Sequence, residues 1–314
     1  MLPIKETFPS ATARALAAAA AFACALAWAP VAAADGPYLS GGTTVEWQDN
    51  VTNASSGAGI LGAFSASVTG GATWLKTLDF STLLSLGMDT GAEAWARYDR
   101  LDRVSAGPRL ELKHKWGLGP FAPVLLIDVS ADATLVGDGE RSNASGEVRA
   151  AYSQRWTDGL QTEIGAALGG ADARQAVFSG HHVAADGALN WDVAEGWRIK
   201  ILGGWRNGDV VTNYQAKQIS GVWVPSISDP SDYAGSTLGG YSPAYPGPSR
   251  LVTTFHTPFI AYRLLGHTWS YGLGVAPAIG ADTTLLVQYV RLETWSPTAV
   301  YTNDVVSAGV VRKF

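Results

Sequence analysis

The chain has 314 residues, with 22 Lys and Arg against 27 Asp and Glu and a net charge of −5. A mildly acidic chain without a basic cluster is not typical of nucleic-acid-binding proteins, so we expect no nucleic-acid partner. Cys24 is the single cysteine. The sequence beyond it therefore has no disulfide and no thiol-based catalytic or metal site.

The first 34 residues have the pattern of a secretory signal peptide. Lys5 and Arg14 provide a positive start, residues 15–29 form an apolar run, and Pro30 ends that run. Three alanines ending at Ala34 are the small residues that typically precede a cleavage site. An uncleaved membrane anchor is the alternative, but the apolar run is shorter than the ~20 residues of a membrane-spanning helix. We therefore predict cleavage after about Ala34.

The rest of the chain, residues 35–314, alternates between apolar and polar side chains. It contains no apolar run of about 18 residues, so a membrane-spanning helix is not predicted there. In residues 144–156, apolar side chains such as Val148 alternate with charged ones such as Glu147. The same alternation recurs in residues 109–116 and 197–206. A period of two residues predicts β-strands with one apolar and one polar face.

Short turns and long connections follow one another in a regular order. Gly and Asp mark tight turns at residues 157–159, 194–196 and 280–282, whereas 136–143 and 209–263 are longer and more polar. This order is typical of transmembrane barrels, which have short periplasmic turns and longer surface loops. Twelve strands are predicted, near residues 38–48, 59–72, 79–90, 105–116, 123–135, 144–156, 160–170, 182–193, 197–208, 267–277, 283–294 and 304–314.

The predicted fold is all-β: a transmembrane antiparallel up-and-down β-barrel of about 12 strands. An even number returns both ends of the barrel to the periplasmic side. The stretch 250–263 alternates enough to be a strand, and a partner within 209–249 would raise the number to 14. We favour an extended loop segment for 250–263, because it keeps Trp269 at the outer membrane interface.

Tryptophan placement supports a barrel independently of the strand pattern. One group lies beside the predicted short turns and the other beside the long connections. Two aromatic groups at opposite strand ends are expected at the two membrane–water interfaces. The first group is Trp116, Trp156, Trp191 and Trp197, with Phe314 at the same end, and the second is Trp47, Trp205, Trp269 and Trp295.

The end of the chain carries a further signal. Val306, Ala308 and Val310 alternate before a final aromatic residue, in the sequence Val-Arg-Lys-Phe over 311–314. With the signal peptide and the turn rhythm, this end resembles small proteobacterial outer-membrane barrels over residues 35–314. The resemblance implies an outer-membrane location, with membrane lipids and the barrel assembly machinery as partners.

The polar faces of the strands would line the barrel lumen. Seven acidic and seven basic residues on these faces predict weak charge selectivity, because a selective pore needs an excess of one sign. Opposite charges could pair and fill a narrow barrel, or stay apart and line an aqueous path for small polar solutes. The candidate lumen residues are Glu111, Lys113, Lys115, Asp128, Asp132, Glu147, Arg149, Arg155, Glu163, Asp186, Asp192, Arg198, Lys200 and Arg206.

The segment 209–263 is predicted to be a long surface loop. Its Pro, Gly, Ser and Tyr content is typical of irregular structure. Such a loop could fold into the lumen as a constriction, bind a partner outside, or be an ordinary surface loop.

No catalytic pattern is convincing. His181 and His182 are adjacent, so in a strand they face opposite sides and cannot easily share a metal ion. His256 lies in a Thr-Phe-His-Thr stretch that resembles the histidine strand of lipid A deacylases, but Pro258 stands where those enzymes have a serine. We expect no enzyme, no metal and no organic cofactor. A weakly selective pore is the first hypothesis, a closed barrel acting through its loops is the second, and a surface hydrolase is the third.

Overall fold

The computed structural model describes residues 37–55, 59–219, 222–225, 248–296 and 299–313. The predicted signal peptide, its cleavage site after Ala34 and the terminal Phe314 lie outside the described residues. Within the described residues, no helix is long and apolar enough to cross a membrane.

The described chain is almost entirely β-strand. Side chains that alternate between Val, Ile, Thr or aromatic residues and polar residues suit a sheet with two different faces. Two single turns of 3-10 helix, Asp99–Leu101 and Ala176–Phe178, interrupt the strands. The strands are β1 (Tyr38–Gln48), β2 (Ala63–Thr77), β3 (Thr82–Trp95), β4 (Arg103–Lys115), β5 (Val124–Val136), β6 (Asn143–Arg155), β7 (Leu160–Ala173), β8 (Gly180–Ala194), β9 (Trp197–Ile219), β10 (Val222–Pro225), β11 (Ser249–Val252), β12 (Phe259–Pro277), β13 (Thr283–Trp295) and β14 (Val300–Lys313).

Neighbouring strands pair in chain order and close into a barrel. β1 pairs with β14, and β9 pairs with β12 from Phe259↔Gln215 to Pro277↔Trp197. All of these pairings are antiparallel, so the twelve strands β1–β9 and β12–β14 form a closed up-and-down barrel. β10 and β11 pair only with the outer ends of β9 and β12. The predicted fold class is confirmed, with 12 barrel strands rather than 14.

The predicted loop 209–263 is wrong at both of its ends. β9 continues to Ile219, and β12 begins at Phe259, so both strands extend well into this segment. Residues 210–212 (Val-Val-Thr) and 259–260 (Phe-Ile) have the side chains that strands favour, and the two strands satisfy each other's backbone groups. The stretch 250–263 is likewise not one extended loop segment. Its first residues lie in β11, which folds back on the start of β12.

The barrel has a short-turn end and a long-loop end. At one end, turns of two to five residues join β2 to β3, β6 to β7, β8 to β9 and β12 to β13. The eight-residue connection of β4 to β5 and the described start of β1 lie at the same end. Longer connections, at residues 49–62, 96–102, 137–142 and 174–179, lie at the opposite end. By the usual arrangement of such barrels, the short turns mark the periplasmic end.

Large apolar side chains cover the outside of the barrel. Leu86, Leu110, Ile164 and Leu273 are among many that are exposed, which a soluble protein would not tolerate over a continuous surface. Trp116, Trp156, Trp191 and Trp197 are exposed at the short-turn end, and Trp269 at the long-loop end. Trp205 lies beside Trp269 on the outer face, Trp47 lies beside the exposed Phe64, and Trp295 stacks on the ring of His267. Their insertion into the two membrane interfaces stays a prediction.

Candidate functional site

The lumen side of the barrel carries the charged residues. All fourteen candidate lumen residues lie on β4–β9, at positions that alternate with exposed apolar side chains such as Leu110, Val148 and Ile201. Alternation along a strand then directs the charged side chains inward. Whether they line a path for a solute stays a prediction, because inward placement alone does not establish transport.

Arg149 is the centre of a three-residue ion-pair network on this wall. Its Nη2 lies 3.0 Å from Glu163 Oε1 and 2.5 Å from Asp186 Oδ2, and its Nε donates to Asp186 Oδ1 at 3.2 Å. The three residues lie on the consecutive strands β6, β7 and β8. One guanidinium therefore holds two carboxylates along the wall.

Asp192, nearer the short-turn end, has the opposite arrangement. Its two carboxylate oxygens accept hydrogen bonds from Arg198 Nε at 2.6 Å and Nη2 at 3.1 Å, and Arg155 Nη2 lies 3.8 Å away. Here one carboxylate is held by two guanidinium groups. A bidentate Arg–carboxylate pair is geometrically well defined and strongly hydrogen-bonded.

The structure adds charged lumen residues that the sequence analysis missed. Arg109 pairs with Asp128 and, at 3.3 Å, with Glu111, so it joins two of the candidate residues. The alternation of residues 109–116 already placed Arg109 on the same face as Glu111, and this signal was overlooked.

Two more pairs lie closer to the long-loop end of the barrel. Arg103 Nε lies 2.5 Å from Glu93 Oε2, and His182 Nε2 lies 3.4 Å from Glu147 Oε2. Glu93 and Arg103 were missed because one predicted strand ended at residue 90 and the next began at residue 105. These ion pairs join strands that are adjacent or, between β6 and β8, one strand apart, so among the described residues pairing follows the wall and does not bridge the lumen.

Two cavities whose linings include charged side chains open inside the barrel. The larger, about 790 Å³, lies between the β5–β9 wall, with Asp132, Glu147 and Asp186, and the β12–β14 wall, with Thr268 and Asn303. A smaller cavity of about 420 Å³ lies beside it and is lined by Glu46, Glu93 and Arg103. Asp132 and Ser145 line both cavities. Their position makes the two cavities neighbouring chambers of one lumen.

An apolar cluster lies across the long-loop end of the barrel. Its members come from connections and strand ends on opposite sides of the mouth, so their contact spans the opening. Tyr98, Phe255 and Phe259 are its largest rings, with centroids 5.5 Å apart for the first pair and 5.1 Å for the second, both edge-on. We call the cluster the mouth plug. It consists of buried Ala63, Tyr98, Val177, Val252, Phe255, Phe259 and Ala261, with Val51, Leu61, Trp95, Leu101, Phe178 and Val211 packed against it.

Hydrogen bonds fasten the β1–β2 connection to β9. Asn213 Nδ2 donates to Thr52 O at 2.7 Å, and Thr212 Oγ1 donates to Asn53 O at 2.6 Å. Asn50 Nδ2 holds the same connection in shape by donating to Ala54 O at 2.9 Å. Because β9 lies four strands from β1 around the twelve-stranded barrel, residues 50–54 reach across part of its mouth.

Charged groups at the rim reinforce the plug. The Arg141 guanidinium lies 4.3 Å from the Phe178 ring centroid and 3.1 Å from Asp138 Oδ2. Burial lowers the pKa of Arg141, and the Asp138 carboxylate acts in the opposite direction. Arg250 Nη2 lies 2.6 Å from Glu140 Oε1, which ties β11 to the β5–β6 connection.

His256, which the sequence analysis considered as a candidate, lies away from the barrel wall. His256 lies in the turn before β12, with a left-handed φ of 63°, and its Nε2 donates to Arg97 O at 2.7 Å. It therefore belongs to the plug region and not to a strand. Among the described residues, no three His, Cys, Asp or Glu side chains are close enough to hold a metal ion.

Comparison with known proteins places the fold. No family model matches the sequence, and no curated protein is similar to it at a significant level. An outer membrane channel from Pseudomonas putida F1 is similar over 91% of this chain and 99% of its own, with a TM-score of 0.55 and 12% identity. The NanC porin (TM-score 0.45, 9% identity, 87% of this chain and 100% of its own) and the KdgM porin (0.40, 9%, 88% and 99%) are more distant. At these identities the likeness shows the fold alone, which is that of bacterial outer-membrane channel barrels.

Proposed function

We propose that the protein is a narrow, weakly selective passive pore for small hydrophilic solutes in a bacterial outer membrane. The observation that carries this proposal is the chamber of about 790 Å³ inside the barrel, whose lining includes the charged residues Asp132, Glu147 and Asp186. A volume of this size is within the range that holds small organic ligands. Arg149 and Arg109 bind their carboxylate partners along the wall, and this arrangement leaves the chamber free for water and solute.

The membrane location and the partners belong to the same proposal. The apolar outer surface requires lipid around it, since water would leave many large apolar side chains exposed. Trp116, Trp156, Trp191 and Trp197 would lie in one interface, and Trp47, Trp205, Trp269 and Trp295 in the other. Outer-membrane lipids and, during biogenesis, the barrel assembly machinery are the partners that follow from this location.

A closed barrel that acts through its surface loops is the second candidate. The mouth plug favours it, because a packed apolar core across the long-loop end obstructs the entrance. The two candidates differ in whether the plug opens. The test must therefore compare the native protein with a variant in which the plug is loosened.

The test is single-channel conductance of the refolded protein in a planar bilayer. We expect discrete current steps, and we expect Arg198→Glu and Lys200→Glu to change their size because both side chains face the lumen near the short-turn end. Lys76→Glu is the matched control, since Lys76 pairs with Leu84 on the outer face of the barrel. It makes the same charge reversal and should leave the steps unchanged.

The plug variant Phe255→Ala completes the design. Conduction by the variant alone would mean that the native barrel is a pore held shut by its plug. Silence from both proteins, after heat-modifiable electrophoretic mobility has shown that each is folded, would contradict the pore and support the closed barrel.

A further inference from the structure

Acidic and basic residues are segregated along the axis of the lumen. Lys113 and Lys115 lie in the last three residues of β4, and Lys200 is four residues into β9, all in the short-turn half. Glu46 lies near the long-loop end of β1, and Asp132 in the long-loop half of β5. Arg206 lies in the long-loop half of the barrel and is an exception, but the equal totals of the two signs still divide into two halves of opposite net charge.

These residues keep their charges unneutralised. Within the described part of the chain, none of Lys113, Lys115, Lys200, Glu46 and Asp132 has an ion-pair partner within 4.0 Å. Asp89, at mid-height on β3, also has none there. Their charges therefore act on the contents of the lumen.

The ion-pair networks strengthen the segregation. Arg109 and Arg149, at mid-height, each hold two carboxylates and leave an acidic excess. Asp192, at the short-turn end, is held by Arg155 and Arg198 and leaves a basic excess. The ion pairs therefore do not cancel the charge difference between the two halves of the lumen.

The two halves are far enough apart to act separately. Arg109 pairs with Ser130 across β4 and β5. Lys113 lies further along β4 toward the short turn, and Asp132 lies further along β5 in the opposite direction. Their separation along the strands is about 20 Å, given a rise of about 3.3 Å per residue. Screening lengths at physiological salt are about 8 Å, so an ion in one half is largely screened from the other.

We infer that the lumen is a bipolar pore whose preferred solutes are small zwitterions, an inference that rests on the proposed pore function. A simple cation is attracted by the acidic half and repelled by the lysines, and a simple anion meets the reverse. A solute with separated ammonium and carboxylate groups is stabilised where the halves meet. There its ammonium points toward Asp132 and Asp89 and its carboxylate toward Lys113 and Lys200.

A bipolar lumen also conducts unequally in the two directions. One voltage polarity drives mobile cations and anions into the lumen together, and the other depletes both. Single-channel currents at equal and opposite voltages should differ by at least about twofold in dilute salt, because fields of this kind alter local ion concentrations strongly. The ratio should approach one in about 1 M salt, where the screening length is about 3 Å.

The variant Lys113→Gln/Lys115→Gln/Lys200→Gln removes the unpaired basic charges of one half. We expect its rectification to fall and its reversal potential in a salt gradient to move to the cation-selective side. Lys76→Gln, on the outer face, is the matched control and should behave as the native protein. If the triple variant does not fold, Lys113→Gln and Lys200→Gln singly should each produce part of both shifts.

Solute preference is measured by liposome swelling. 4-Aminobutyrate is compared with 4-hydroxybutanamide, which has the same number of non-hydrogen atoms and no charge. We expect the zwitterion to enter at least about twofold faster through the native protein, and the lysine variant to lose this advantage. Clear conductance steps with a symmetric current and equal swelling rates would overturn the bipolar lumen alone. Silence from the folded native protein and from Phe255→Ala would overturn the pore, and the bipolar lumen with it.

Discussion

Phe255→Ala is the variant that most directly tests the mouth plug. The Phe255 side chain is 2% exposed and contacts the rings of both Tyr98 and Phe259 edge-on. The Arg141 guanidinium lies 5.8 Å from its ring centroid. Phe255 thus joins the β3–β4 connection, the start of β12 and the charged rim, and its truncation should loosen all three contacts.

The size of the effect follows from its burial. Truncation of a fully buried Phe to Ala typically costs about 3–5 kcal/mol. The plug is a small core at the end of the barrel whose loops can relax into the gap, so we expect the lower limit, about 3 kcal/mol. Since about 1.4 kcal/mol is a tenfold change in an equilibrium constant, the open population should rise about 100-fold.

Single-channel recording and limited proteolysis measure this population. The variant should spend far more time in conducting states, and the connections 49–62 and 96–102 should be cleaved faster at low protease concentration. Phe80→Ala is the control. Phe80 is 90% exposed in the β2–β3 turn at the opposite end, and its truncation should change neither readout. Unchanged gating and cleavage in folded Phe255→Ala would refute the plug as a closing element.

Three further predictions concern the barrel itself. Arg149→Met leaves two carboxylates facing each other without their guanidinium, and should lower barrel stability by about 1–2 kcal/mol, measured by urea unfolding. Gly107→Ala should largely prevent folding, because its Cβ would overlap the carbonyl oxygen of Ala131 on β5, whereas Gly203→Ala meets nothing within 4 Å and should fold normally. Hydrogen bonds from the neighbouring Ser hydroxyl and backbone lower the pKa of Asp79 from 3.8 to about 2, so its stabilisation of the turn is present above about pH 4 and lost as pH falls toward about 2. The stability difference between the native protein and Asp79→Asn, measured by urea unfolding across this range, should therefore vanish at the acidic end; a constant difference would contradict the role of the carboxylate.

The strand pattern could be predicted wherever alternation was clear. β1, β5 and β6 lie within a residue of their predicted bounds, because each alternates and ends at a recognisable turn. β2 was placed about four residues too early. The apolar residues Ile60 and Leu61 suggested a strand start, but Leu61 packs against the mouth plug instead. Gly70 and Gly71 lie in the middle of β2 and have no side chains, so the sequence there does not show which positions face the lumen.

The mouth plug could not be predicted from local pattern. Tyr98, Val177 and Phe255 come from three connections that are far apart in sequence, and each connection contributes only one or two apolar residues. A single apolar residue in a polar connection is ordinary, since many surface residues are apolar. Only closure of the barrel brings the connections together, and closure depends on all twelve pairings at once.

The axial charge pattern was hidden for a different reason. Successive strands of an up-and-down barrel run in opposite directions, so the same advance in sequence leads toward the short turns on β4 and away from them on β5. Lys113 near the end of β4 and Lys200 near the start of β9 are consequently at the same end of the lumen. A count of charges along the sequence ignores the position of each charge along the barrel axis. This position determines which charges an ion encounters as it crosses the lumen. Once strand ends are known to within a residue or two, direction and register are enough to assign each charge to one half of the lumen. The selectivity of such a barrel therefore depends on where its charges lie along the axis and much less on their sum.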